Sequence, residues 1–157
     1  MQGKRQKRVK IFAFRGINMY SENNINQIQM KEMNGKYKYD LNPNNRWIIL
    51  GKYIPWKRVT EIYSENFVNN KRDGKRAISA RVAFGALMIK EIKGLSDEET
   101  VQEIMESPYL QYFIGYKEFT HKQPFDPSMM VHFRKRFTPE MLKEINELIE
   151  ENKNKKK

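Results

Sequence analysis

Polar and apolar positions fall into two regimes along this chain. Through residue 43 apolar side chains are sparse and unpatterned. A basic arm leads into an Asn- and Gln-rich leader (Asn23, Asn24, Asn26, Gln27, Gln29) with too little apolar surface to pack, so residues 1–43 are expected to be poorly folded. Val9 to Phe14 is the one short stretch there with strand character. From Asn44 onward apolar residues recur at helical spacing. Arg46 to Leu50 reads as a short helix. Trp56 to Phe67 reads as a second, with Val59, Ile62, Tyr63 and Phe67 as its apolar positions and Pro55 before its first turn. The polar run Asn69 to Arg76, containing Gly74, reads as an exposed loop.

Ser79 is placed to cap a third helix running to Lys93. Its positions Val82, Ala83, Phe84, Ala86, Leu87, Met88, Ile89 and Ile92 are apolar on nearly every side, the mark of a central core helix. Gly94 ends it. Ser96-Asp97-Glu98-Glu99 then supplies a capping box, with acids in the first turn where the helix dipole favours them, ahead of Val101, Ile104 and Met105. Ser107-Pro108 stops that helix and starts a short one to Ile114, closed by Gly115. In the next segment Asp126 and Pro127 form a helix start signal. At about 100° per residue, Met129, Met130, Phe133 and Phe137 share one face, whereas Ser128, Val131, His132 and Lys135 point away, flanked by Arg134 and Arg136. Thr138-Pro139 opens a last helix with the stripe Leu142, Ile145, Leu148 and Ile149, too short for a convincing coiled-coil seam and therefore expected to pack back on the domain. The expected fold class is all-α: a compact bundle of five to seven short helices over residues 44–152, with a helix-turn-helix-like centre between Ser79 and Phe137, and disordered basic ends at 1–43 and 153–157.

Charge changes the picture only at the ends. The formal charge is +11, but residues 1–15 hold six basic side chains and no acid, and residues 153–157 hold four more. Removing those ten leaves the middle near neutral, at +1. Basic ends suit a polyanion, since neutralised phosphates release counterions, and they also serve as solubilising tails. No apolar run approaches the roughly 18 residues that span a bilayer, and no signal-peptide pattern follows the basic start, so a cytoplasmic, nucleoid-associated location is expected. With no cysteine, disulfides and thiolate-ligated metal sites are excluded. His121, Asp126 and His132 match no metal-ligand spacing, and the carboxylates from Asp97 to Glu106 read as helix-cap and solvated-face acids. No metal, cofactor or catalytic residue is assigned. Trp47 and Trp56, beside Ile48, Ile49 and Val59, read as core anchors in preference to base-stacking platforms.

Six segments in order resemble the amino-terminal domain of InsH-type insertion-sequence transposases, DDE enzymes of mobile elements. They are Asn42 to Trp47, Ile54-Pro55-Trp56, Gly85 to Glu91, Gly94 to Thr100, Ser107 to Gly115 and Pro124 to Phe137, together spanning about residues 42 to 137. Two departures fall at the third helix: Gly74-Lys75-Arg76 stands where the family commonly has Gly-Arg-Pro, and Ser79 replaces a later proline. Met19-Tyr20 resembles the family's usual beginning, which implies that residues 1–18 are an upstream extension or a misassigned start. The resemblance implies a domain that holds the element's terminal inverted repeats. The DDE carboxylates belong to the family's catalytic domain, which would begin where this chain stops, so the resemblance implies the DNA-binding domain of a truncated or split transposase, expected not to be an enzyme by itself. On that reading the partner is double-stranded DNA, with full-length transposase or a second copy as further candidates. Arg134, Lys135, Arg136 and His132 would lie on the recognition helix, and Lys71, Arg72, Lys75, Arg76 and Arg81 would grip backbone. A protein-interaction module regulating full-length transposase, or a remnant without function, is the alternative reading.

Overall fold

A computed structural model describes residues 40–65 and 78–156 of the chain. The described residues form seven helices and no strand: α1 (Arg46–Gly51), α2 (Trp56–Glu65), α3 (Ala80–Lys93), α4 (Asp97–Glu106), α5 (Pro108–Phe113), α6 (Met129–Arg136) and α7 (Pro139–Lys155). The all-α expectation holds. The strand expected at Val9 to Phe14, most of the polar leader and the loop carrying Lys71, Arg72, Lys75 and Arg76 lie outside the described residues.

Local chemistry sets most boundaries. Ser79 accepts from the Val82 amide at the start of α3. Gly94 ends that helix at φ 67°, a left-handed conformation that glycine adopts without a Cβ penalty, and its N–H bonds to the Lys90 carbonyl. The capping box forms in full: Ser96 Oγ accepts from Glu99 N at 3.1 Å, and Glu99 Oε2 accepts from Ser96 N at 2.8 Å. Ser107 with Pro108, and Thr138 with Pro139, open α5 and α7 in the same manner.

Helix α3 is the hub, packing on α2, α4 and α6. Ala83, Ala86, Met88 and Ile89 are wholly excluded from solvent, as an all-round apolar helix requires. Small residues on α3 let its neighbours approach. Phe84, Ile104, Phe113, Phe133, Ile145 and Ile149 fill the core between the helices, each large side chain contributing about 1.5–3 kcal/mol by leaving water. Trp47 is buried edge-on to Phe113 at 5.2 Å. Trp56 packs edge-on to both Phe113 and Phe84 and donates its indole N–H to the Gly51 carbonyl at 3.0 Å. Both tryptophans anchor the core.

Three boundaries differ from expectation. Packing begins before Asn44: Leu41, in the supposed leader, is buried with Ile48 against Tyr109 and Tyr112, and Asn42 N donates to the Tyr109 hydroxyl at 3.0 Å. At the other end Lys153 and Lys155 belong to α7, not to a tail. There Asn152 donates to the Tyr53 carbonyl at 2.9 Å, and the Lys156 ammonium donates to the Lys52 carbonyl and lies 5.1 Å from the Tyr53 ring centroid. With Ile145 and Ile149 buried and Arg58 of α2 donating to Glu144 at 2.7 Å, α7 packs back on the domain. Finally, α6 starts at Met129, two residues after Pro127. Asp126 Oδ1 is used by the Ser128 amide at 2.9 Å in a turn that precedes the helix.

Candidate nucleic-acid interface

The basic helix α6 divides by face. Met130 and Phe133 are fully buried, with Phe133 edge-on to Phe125 at 5.1 Å, and Phe137 just beyond the helix stacks on Tyr63 and packs against Phe84. Met129, expected on the same face, is half-buried. Val131, His132, Arg134 and Lys135 are exposed. Val131, at 41% exposure, is the single large hydrophobic side chain left open among the described residues. An aliphatic group between a histidine and two cations is thus presented to solvent on a helix fixed from behind.

The basic side chains do not all share this surface. Arg134 makes a two-pronged bond to Asp97 of α4, Nη1 to Oδ1 at 2.8 Å and Nη2 to Oδ2 at 3.0 Å. Asp97 also pairs with Lys90 of α3 at 3.2 Å. These donors, Arg134 foremost, hold the Asp97 carboxyl below its ordinary range, and the carboxylate in turn raises the Arg134 guanidinium. Arg136 turns inward and donates to the Tyr63 hydroxyl at 2.7 Å with its guanidinium 5.5 Å from that ring. Burial raises the Tyr63 phenol, and Arg136 opposes that shift.

Arg81 is engaged within the fold. Its Nε donates to the Phe113 carbonyl at 3.0 Å and its Nη2 to the Tyr112 carbonyl at 3.1 Å, while the guanidinium lies 4.6 Å from the centre of the Trp56 ring. The two carbonyls end α5, so the arginine satisfies a helix C-terminus. Gly115, at φ 96°, makes room for it: a Cβ there would stand 2.8 Å from Arg81 Cδ. Burial lowers the Arg81 guanidinium from its ordinary value. Lys71, Arg72, Lys75 and Arg76 lie outside the described residues.

Gln111 has a role that the sequence did not advertise. Buried in α5, its amide nitrogen donates to the carbonyls of Thr120 (2.8 Å) and Ile104 (3.1 Å), and its oxygen accepts from Thr120 N at 2.9 Å. This clasp fixes the middle of the segment that leads from α5 to α6. A glutamine beside aromatic positions in a short helix carries no periodic signal of that kind. Among the described residues no three His, Asp or Glu side chains gather as metal ligands, and no helix is long and apolar enough to cross a membrane.

Residues 36–136, from before α1 through the end of α6, match the family described as Transposase domain (DUF772), and the chain belongs to that family. The matched domain is not itself a DDE catalytic domain. A relative from Rhizobium meliloti, the uncharacterized protein ORF8 in the nfe locus, is 35% identical over 105 residues, covering 67% of this chain and 49% of the relative. The chain therefore spans about half the length of that curated relative. No solved structure matches the chain.

Proposed function

We propose that this domain binds double-stranded DNA at the ends of a mobile element, in the manner of the amino-terminal domains of InsH-type transposases, with α6 entering the major groove. The observation that carries this reading is the division of α6, whose Met130 and Phe133 are buried while Val131, His132, Arg134 and Lys135 are exposed. A major groove admits an α-helix and presents acceptors to arginine and thymine methyls to an apolar side chain. Arg134 is the candidate guanine reader, Val131 the candidate methyl contact, and Lys135 and His132 meet phosphate. In this reading Arg136 braces the helix against Tyr63 and Arg81 serves the fold. Lys71, Arg72, Lys75 and Arg76 supply sequence-independent backbone contacts.

The helix-turn-helix element needs a modified definition here. A tight turn, Gly94 to Ser96, joins α3 to α4, but α4 opens with three acids. The basic helix follows a long segment clasped by Gln111.

The test is fluorescence anisotropy on duplexes selected from a randomised pool and on unselected duplexes, at several salt concentrations. Arg134→Ala should cost about 1–3 kcal/mol on the selected duplex and relax the preference at one base pair. Lys135→Ala should weaken all duplexes alike and reduce the salt slope by about one. Identical behaviour of both substitutions on selected and random DNA would remove α6 as the reading helix.

A further inference from the structure

One carboxylate joins three helices. Asp97, the first residue of α4, accepts from the Lys90 ammonium of α3 and from both terminal nitrogens of Arg134 on α6. Lys90 is fixed in turn, donating to the Leu95 carbonyl at 2.7 Å. The end-on fork of Arg134 is therefore held by two bonds to a carboxylate whose own position is tied to the tight turn between α3 and α4. A guanidinium carries five N–H donors, and this arrangement uses one on each terminal nitrogen. Its Nε–H, on the side-on edge, makes no hydrogen bond among the described residues, and the side chain is 42% exposed.

Stability alone is a weak reason for such a pair. Partly exposed ion pairs contribute little, and the start of α4 is already served by Glu98, Glu99 and the Ser96 cap. Geometry is the larger consequence. A two-pronged carboxylate bond fixes the orientation of a guanidinium plane, and two acceptors in a plane, such as guanine O6 and N7, need that orientation. Lys90 offsets the carboxylate, so the trio remains net positive toward a polyanion.

We propose that Asp97 is the positioning residue for Arg134: it holds the guanidinium so that the side-on edge meets a guanine in the major groove. The proposal rests on the reading of α6 as the groove-facing helix. Asp97 touches no DNA in this arrangement and acts through Arg134.

The full chain is assayed by anisotropy on a duplex selected from a randomised pool, on the same duplex with each G·C pair changed in turn to A·T, and on unselected DNA. Wild type should prefer guanine at one pair by about 5- to 150-fold. Asp97→Asn should lower that preference about tenfold without weakening binding to unselected DNA, and Arg134→Lys, which keeps charge but cannot fork, should do the same. The double variant Asp97→Asn with Arg134→Ala should be no worse than Arg134→Ala alone. Glu98→Gln makes the same charge change one residue away and should leave the preference intact. Asp97→Ser repeats the measurement should the asparagine variant melt early. If Asp97→Asn tightens selected and unselected DNA alike with the preference unchanged, Asp97 is a shield over Arg134 and the proposal is overturned. If Arg134→Ala alters no base preference, the reading of α6 fails with it; if Arg134→Ala does but Asp97→Asn does not, only the positioning role fails.

Discussion

Helices α4 and α6 are short, both follow α3 in the chain and pack on it, and meet through Asp97 and Arg134, yet their chemistry is opposed. Helix α4 follows a tight turn, has a complete capping box, and places Asp97, Glu98 and Glu99 in its first turn. Helix α6 follows a long segment, has no side-chain cap at Ser128, and places Arg134, Lys135 and Arg136 in its last turn. Acids at an N-terminus and cations at a C-terminus both suit the helix dipole. Each charge pattern is thus locally favourable before any partner is considered. The difference lies in what holds each helix: α4 is set by its own residues, whereas α6 depends on side chains distant in sequence, Asp97, Tyr63 and the Gln111 clasp.

The largest expected effect attacks that dependence. Phe133→Ala removes the fully buried anchor of α6 and should cost about 3–5 kcal/mol in denaturant unfolding. A loss below about 1 kcal/mol would mean that α6 is not held by its core face. Next, Gln111→Leu strands the Thr120 and Ile104 backbone groups and should cost about 1–3 kcal/mol, with faster hydrogen exchange at Thr120. Unchanged exchange there would separate the clasp from the order of the segment before α6.

Smaller substitutions sharpen the contrast in capping. Ser96→Ala should lower stability by about 1 kcal/mol because it leaves the Glu99 amide without its partner. Ser128→Ala should cost clearly less, since that hydroxyl makes no cap bond and meets only the exposed Asp126 carboxylate. Equal losses in thermal or denaturant unfolding would contradict the difference between the two starts.

The smallest effect is electrostatic. The Asp97 carboxyl is lowered by Arg134 first and Lys90 next. Because its folded value lies below its unfolded one, the associated stability is fully present above the ordinary carboxylate value of about 3.9 and is lost as pH falls through the folded value. With Arg134 partly open to solvent, the contribution should stay under about 1 kcal/mol and shrink in high salt. Comparing acid unfolding of wild type and Asp97→Asn checks the sign: the variant should lose less stability over that acid range.

What was legible in the sequence is what neighbouring residues decide. Ser79, Gly94, Ser96, Pro108 and Thr138 marked helix ends because caps act over two or three positions. The all-round apolar character of α3 announced its central place. Asp126 and Pro127 were misleading as a helix start because Asp126 spends its side chain on a turn. The lysines at 153 and 155 resembled a tail, since nothing nearby shows that Asn152 and Lys156 bond to carbonyls about a hundred residues earlier. Charge alone likewise gave no sign that Arg81 would turn to the end of α5 or that Arg134 would find Asp97, because those partners lie 32 and 37 residues away.

The docking of α7 on α2 has a consequence for the order of events during synthesis. Arg58 meets Glu144 across 86 residues and Lys52 meets Lys156 across 104. A ribosome adding about 5–20 residues per second leaves the face of α2 that α7 covers without its cover for roughly 5–20 s after α2 is made. Throughout that interval the nascent domain carries an open apolar seam, and closure of that seam waits on the emergence of α7.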